Sequence, residues 1–349
     1  MKVSDTSAAV AWLESLSPWP ADGFGTERMR ELLVRLGDPQ RSFDAVHIVG
    51  TKGKSTAARR IARTIGGPAY TSPHVSGWHE RLDTDPDGFA QAIERVRPDA
   101  EALAATQFET VTAAAFADFA ARGATVAAIE AGLGGRHDAT NTIGARVVVL
   151  TNVGLEHTDV LGSTREAIAA EKLAVAGPGS TVILPDREFA RLVGGVVRIG
   201  GAEEAVEAFL GERRPLAEAS LPGRLEVRDG EVRDGAHTPD AVDWLLERLP
   251  APHDYVVVAS ILTDKDAAGI LDRLARAGRT LVATASTNPR AAAAEAVAGL
   301  ARERFDTVHV EPDPAAALAL AHNLGERVLV TGSLYLLADL AENDRKSVR

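Results

Sequence analysis

The chain has 349 residues, 45% of them hydrophobic and 25% charged, with a net charge of −11 and no cysteine. That length suffices for two or three domains with ample core. The acidic balance disfavours non-specific binding to nucleic acid or to an anionic membrane, and the lack of cysteine excludes disulfides, thiolate metal sites and a cysteine nucleophile.

The opening residues, MKVSDTSAAVAWLESLS, carry one lysine and then acids in an amphipathic pattern. This does not read as a signal peptide, and no segment reaches the ~18 apolar residues of a membrane span. A cytoplasmic protein with neither membrane nor nucleic-acid partners is expected. Residues 7–17 and 26–36 read as amphipathic helices. They lead into Val46-His47-Ile48-Val49-Gly50-Thr51-Lys52-Gly53-Lys54-Ser55-Thr56, an apolar strand, a turn with two glycines, and Lys-Ser-Thr opening a helix that runs to Ile65. Such a loop exposes successive backbone N–H groups at a helix N-terminus, where the dipole also favours anions. Gly50, Thr51, Lys52, Gly53, Lys54, Ser55 and Thr56 are therefore the candidate nucleotide-binding loop. Lys54 would supply a point charge for phosphates, and Ser55 or Thr56 a hydroxyl near Mg²⁺. The spacing G-x-x-G-K-[ST] is shorter than the usual phosphate loop. The plain alternative is a glycine-rich turn with a solvated lysine.

Short apolar strands follow at 125–129, ending at Glu130-Ala131-Gly132-Leu133-Gly134-Gly135, and at 146–150, ending at Thr151-Asn152-Val153-Gly154. Both carry polar residues at their C-terminal ends, where open α/β sheets bind ligands. Arg213-Arg214-Pro215 and Leu221-Pro222-Gly223-Arg224 punctuate a passage near 215–223. Beyond it, strands at 255–259, 280–285, 306–310 and 327–331 alternate with helical stretches at 266–277, 289–303, 313–323 and 334–342. This alternation predicts a mainly parallel sheet covered by helices, and a division into domains 1–220 and 221–349.

Further segments place reactive residues beyond strands or in tight turns. They are Thr71-Ser72-Pro73-His74, Glu130 to Asn141, Thr151 to Gly162, Glu171-Lys172, Pro222-Gly223-Arg224-Leu225-Glu226, Asp234-Gly235-Ala236-His237-Thr238-Pro239, Thr263-Asp264-Lys265-Asp266 and Thr331-Gly332-Ser333-Leu334-Tyr335. In this order, and with the phosphate loop, they resemble the dihydrofolate synthase/folylpolyglutamate synthase branch of the Mur ligase family, over about residues 36 to 340. The resemblance implies an α/β, Mur-ligase-like fold: an N-terminal P-loop ATP-binding domain and a smaller C-terminal Rossmann-like domain. It also implies a reaction. ATP phosphorylates a carboxylate, dihydropteroate or a folate; the amine of L-glutamate attacks the acyl phosphate; phosphate leaves. Holding two anions together calls for metal ions and backbone donors more than for a covalent nucleophile.

The resemblance also assigns residues. Glu130 and Ser72 match ligands of one Mg²⁺, and His157 matches the ligand of a second. Lys172, 15 residues after His157, falls where relatives carry a carbamylated lysine supporting that second metal. Arg224 and Asp234 match nucleotide contacts; His237 matches a residue near the incoming amino acid or the γ-phosphate, and Ser333 one near the amino acid. Lys54, His157, Lys172 and His237 form the implied catalytic group, with the site in a cleft to which both halves contribute. A monovalent cation such as K⁺ assists many relatives, and a monomer is expected. Taken without the resemblance, Glu130 is a solvated or salt-bridged carboxylate, Ser72 turn chemistry, His157 a helix-entry or core histidine, Lys172 an exposed helix lysine and His237 a turn histidine.

The chain departs from the family pattern in four places. The loop lacks the glycine that usually follows the lysine. Thr238 stands where Asn is usual. Only about fifty residues separate Lys172 from Pro222, with Gly201-Ala202 in place of an Asn-Ala element associated with adenine. The stretch between His74 and Phe108, where a substrate loop is normally longer, is short. Two alternatives follow: the same ligase chemistry on a non-folate acid in a specialised pathway, or a catalytically inactive nucleotide-binding regulatory protein.

Overall fold

Near-continuous apolar strands separated by helices build two sheets, each covered on both faces, as strands buried on both sides require. The structure, a computed structural model, describes residues 3–20 and 23–347; Met1 and Lys2, which open the segment read above as no signal peptide, lie outside the described residues. The chain divides into one unit of Met1–His74 and Trp78–Ala219, and a second of Val75–Gly77 and Ser220–Arg349. Among the described residues no helix is long and apolar enough to cross a membrane.

In the first unit, helices α1 (Val3–Ser15) and α2 (Glu27–Arg35) precede strand β1 (Asp44–Val49), helix α3 (Lys54–Ile65) and strand β2 (Ala69–Tyr70). Helices α4 (Pro86–Ala102) and α5 (Gln107–Ala121), strand β3 (Val126–Glu130) and strand β4 (Val147–Leu150) follow. Helices α6 (Thr158–Leu161) and α7 (Arg165–Leu173), strands β5 (Thr181–Leu184) and β6 (Val196–Ile199), and helix α8 (Ala202–Leu210) complete it. The strands form one sheet in the order β2-β3-β1-β4-β5-β6, with parallel pairing throughout. Strand alternation sorts the core. Val46, Ile48, Val147 and Val149 pack with Ile61, Ala62, Val206 and Phe209 from α3 and α8. On the opposite face Ala45, Ala127 and Ile129 meet Phe89, Ile93, Phe116 and Phe119 from α4 and α5, while Val148, Leu150 and Val182 meet Ile168 and Leu173 from α7.

The second unit runs β7 (Glu226–Arg228), β8 (Glu231–Arg233), α9 (Pro239–Leu246), β9 (Val256–Ala259), α10 (Ala267–Leu274), β10 (Thr280–Ala283), α11 (Ala294–Ala301), β11 (Thr307–Val310), α12 (Pro314–Leu324), β12 (Val328–Thr331) and α13 (Leu334–Ser347). Its sheet order is β11-β10-β9-β12-β8-β7, parallel except for the antiparallel hairpin of β7 on β8. Val257, Ala259, Leu281 and Leu329 pack against α9–α11; Val256, Val258, Val328 and Val330 pack against α12 and α13. The helix expected over 289–303 starts only at Ala294. Ala291 instead bridges Leu262, and the Arg290 carbonyl accepts from Thr263 N at 2.8 Å, so residues 289–292 are committed to a loop pair. The stretch after His74 is occupied by a 3₁₀ turn at Trp78–Leu82 and by α4, whose N-cap Asp85 accepts from Gly88 N at 2.7 Å ahead of Pro86, a proline suited to the first helical position.

Candidate active site

The phosphate loop leaves the C-terminal end of β1, a central strand, and enters α3. Gly50 has φ +143° and a Cβ there would lie 2.0 Å from Thr151 Oγ1, so only glycine fits. Gly53 caps α3 with φ +77°. The segment after β4 braces the loop. Asn152 Oδ1 accepts from Lys52 N at 2.9 Å and its Nδ2 donates to Lys52 O at 2.9 Å. Thr151 Oγ1 donates to the same carbonyl at 2.7 Å, and Gly154 N donates to Thr51 Oγ1 at 3.0 Å. With its carbonyl doubly held, residue 52 is fixed in one peptide orientation, which is what an anion-binding turn requires.

Beneath the loop, Glu130 at the end of β3 is 2% exposed. Its Oε1 accepts from Ser55 Oγ at 3.0 Å and its Oε2 from Ser72 N at 2.9 Å. The register explains the meeting: Ile48 pairs with Glu130 and Tyr70 with Ile129, so the ends of β1, β2 and β3 lie side by side. A buried carboxylate beside a hydroxyl at a helix start fits Mg²⁺. That ion prefers hard oxygens and is usually held by one or two carboxylates, waters and substrate phosphates rather than by an all-protein cage. Accordingly, among the described residues no three His, Asp or Glu side chains gather to hold a metal by themselves.

Lys172, on α7, is 2% exposed, not the exposed helix lysine that its chemistry alone would give. Its Nζ donates to Gly50 O at 3.0 Å and to Glu156 Oε1 at 3.2 Å. Burial lowers its pKa, Glu156 opposes the shift and Lys54 adds to it. His157, an exposed residue, takes φ +48° as the N-cap of the short α6, with its carbonyl accepting from Val160 N and Leu161 N at 2.9 Å. The intervening glycines let α7 approach: a Cβ on Gly135 would lie 2.6 Å from Lys172 O.

A relay orders the rest of the Glu130–Asn141 segment. Asp138 is buried and accepts from Leu133 N at 2.8 Å and from Thr140 N at 3.0 Å; burial raises its pKa. Thr140 Oγ1 donates to Asp138 and lies 2.9 Å from His47 Nε2. Because the hydroxyl proton goes to Asp138, the imidazole proton sits on Nε2. Burial lowers the His47 pKa to about 4, so the ring is neutral at physiological pH.

In the second unit the C-terminal strand ends carry the remaining candidates. Asp234, after β8, is 6% exposed; it accepts from Leu225 N at 2.7 Å and from Ala236 N at 2.9 Å, and burial raises its pKa while Arg224 opposes the rise. His237 Nδ1 lies 2.7 Å from Gly235 O. A carbonyl only accepts, so Nδ1 carries a proton. Thr238 caps α9, its Oγ1 accepting from Ala241 N at 3.3 Å, a position where threonine and asparagine are both good. Ser333, after β12, is buried and its Oγ accepts from Tyr335 N at 3.1 Å. Where the resemblance implies an Asn-Ala element, Gly201 is the N-cap of α8, and Glu204 Oε2 accepts from Gly201 N at 2.7 Å.

A family model described as the Mur ligase, glutamate ligase domain matches residues 223–334. The dihydrofolate synthase/folylpolyglutamate synthase of Mycobacterium tuberculosis is 31% identical, over 88% of this chain and 82% of that protein. The chain belongs to the dihydrofolate synthase/folylpolyglutamate synthase family. Two solved structures agree in fold. M. tuberculosis folylpolyglutamate synthase complexed with ADP and AMPPCP superposes with a TM-score of 0.87 at 26% identity, covering 98% of each chain. The bifunctional synthase from Yersinia pestis complexed with AMPPNP and Mn ion gives 0.82 at 25% identity, covering 97% of this chain and 98% of that one. The α/β Mur-ligase fold expected from sequence is therefore the fold of the chain.

Within this synthase-family chain, the structure brings Ser55, Ser72 and Glu130 together, and Lys172 with Gly50 and Glu156. Of the two hydroxyls proposed at the helix start, Ser55 is the one joined to Glu130. Sequence reasoning passed over Thr151 and Asn152 as braces, Glu156 as the lysine's partner, and the His47–Thr140–Asp138 relay. A Thr-Asn pair directly after a strand beside the phosphate loop was the available signal for the braces; nothing local announced the others.

Proposed function

We propose that this chain joins L-glutamate to a folate-type acid, with dihydropteroate or a folate supplying the carboxylate. Membership of the family makes it an ATP-dependent acid–amino-acid ligase. The observation that carries the site assignment is the convergence of Ser55 and Ser72 on the buried Glu130 at the start of α3. With the N–H groups of Thr51 and Lys52 held by Asn152, those of Gly53 and Lys54 and the Lys54 ammonium bind the nucleotide phosphates. Ser55, Ser72 and Glu130 hold a divalent cation, which when bound neutralises charge on the phosphates. The carboxylate attacks the γ-phosphorus, ADP departs, and the glutamate amine then displaces phosphate from the acyl carbon, losing a proton. Preorganised donors stabilise the charge that builds on the transferred group.

His157 and Lys172 are assigned to a second cation site. Burial lowers the pKa of Lys172 and so raises its share of neutral amine, the form that adds to CO₂ and releases a proton to give a carbamate, replacing a cation by an anionic oxygen donor. In the second unit, Arg224 and Asp234 serve the nucleotide, and His237 and Ser333 the incoming amino acid.

ADP release tests the reading. With Mg-ATP, it should require both L-glutamate and a pterin acid. Release only with a simple aryl acid would overturn the folate assignment, and nucleotide binding without any acid-dependent release would overturn the ligase site.

A further inference from the structure

A closed circuit of contacts links two residues one turn apart on α3. Ser55 and Arg59 are four residues apart, so they share that face. From Ser55 the circuit passes to Glu130, then to Ser72 N. The preceding residue, Thr71, donates its N–H to Arg81 O at 3.1 Å and its hydroxyl to Glu80 O at 3.3 Å. Arg59 returns to the helix: its Nη2 donates to the same Glu80 carbonyl and its Nη1 to Asp83 Oδ1. Asp83 Oδ2 in turn accepts from Ala69 N at 3.3 Å, on the strand that leads to Ser72. Asp83 has φ +51°, a conformation uncommon outside glycine that the Arg59 fork helps to hold. Arg59 itself is 7% exposed; burial lowers its pKa to about 10, so it stays charged at neutral pH.

We propose that Arg59 is a positioning residue: by clamping Glu80 O and Asp83 it fixes the Thr71–Ser72 backbone, so that Ser72 N holds the Glu130 carboxylate in the orientation that takes the divalent cation. The inference rests on the nucleotide and metal reading given above. Arg59 reaches neither the phosphates nor the cation in this scheme and acts through Ser72. Its planar fork matters because it holds two acceptors from different residues in one fixed geometry, which the compact point charge of a lysine on a flexible stem does not impose.

The test uses the full chain with AMPPNP as probe, titrated with and without Mg²⁺, together with amide hydrogen exchange at Ser72. The variants are Arg59→Lys, Asp83→Asn and Thr71→Val. In the wild type Mg²⁺ should tighten AMPPNP binding. In Arg59→Lys and Asp83→Asn that enhancement should fall by roughly tenfold, as for loss of a residue that orients a ligand, with metal-free AMPPNP affinity unchanged and faster exchange at Ser72. Thr71→Val, which removes one contact to Glu80 O and no charge, should fall between. An Mg²⁺ enhancement kept in Arg59→Lys and Asp83→Asn would overturn the assignment of Arg59 alone. An equal loss with and without Mg²⁺, accompanied by a lower melting temperature, would overturn it in favour of a merely structural role. A wild type whose AMPPNP affinity ignores Mg²⁺ would overturn the metal reading itself, and this proposal with it.

Discussion

The Nζ of Lys172 lies 3.0 Å from the carbonyl oxygen of Gly50, which ties a fully buried lysine to the first glycine of the phosphate loop. The contact links two segments 122 residues apart and explains why this lysine cannot be an ordinary helix-surface cation. Removing it leaves the Glu156 carboxylate without its partner and frees the loop. Lys172→Met should therefore lower kcat on the order of 100-fold, the upper range for residues that orient a metal site. Carbamylation has its own readout: ¹³C-bicarbonate should give a carbonyl resonance in the wild type that Lys172→Arg lacks. A wild-type spectrum without it would remove the modified lysine from the account.

Glu130→Gln keeps the shape of the side chain and one acceptor oxygen while removing the charge. Turnover should drop by roughly 10²–10³-fold, as when a preorganised electrostatic contact is lost, and the Mg²⁺-dependent part of nucleotide affinity should vanish. Near-normal turnover would show that Glu130 is a structural carboxylate.

Gly50→Ala should weaken both fold and loop. The residue sits at φ +143° with Thr151 Oγ1 2.0 Å from the missing Cβ, a conformation and a clash together costing about 1–3 kcal/mol. Displacing Thr151 also releases its bond to Lys52 O. Calorimetry should find a lower melting temperature and AMPPNP titration a weaker affinity; an unchanged pair of values would refute the close approach.

His47 supplies a pH dependence. Its folded pKa is about 4 against 6.5 for the free residue, so between those values the unfolded chain binds more protons and stability rises with pH. The stabilisation is complete above pH 6.5 and is lost as pH falls toward 4, about 3 kcal/mol in all. Denaturant unfolding at pH 7.5, 6 and 5 should show this loss, and His47→Gln, which retains a donor for Thr140, should flatten it. A wild type and a His47→Gln variant with parallel curves would contradict the assignment.

What the sequence disclosed divides along physical lines. The phosphate loop and the strands around 46–49, 126–130 and 147–150 were legible because each is written in consecutive residues: an apolar run, then glycine and polar residues at the strand end. Helix α5 was not, because its residues from Glu109 to Phe119 are all buried, and a helix buried on every side need not show an amphipathic period. Within the site, Glu130 and Ser72 were legible as motif positions. Arg59 and the Asn152 brace were not, since their meaning lies in partners distant in sequence: Asn152 grips a peptide 100 residues away, and Arg59 an acid 24 residues on. The buried state of Lys172 likewise depends on α7 settling against Gly135, which no local pattern shows.

The most direct measurement follows oxygen. Dihydropteroate labelled with ¹⁸O in its carboxylate would be turned over with Mg-ATP and L-glutamate, and the phosphate analysed by mass spectrometry. Attack of the carboxylate on the γ-phosphorus, followed by displacement by the amine, predicts one ¹⁸O in each inorganic phosphate released. Phosphate free of label, with amide formed, would contradict the acyl-phosphate route to which the loop, Glu130 and Lys172 have been assigned.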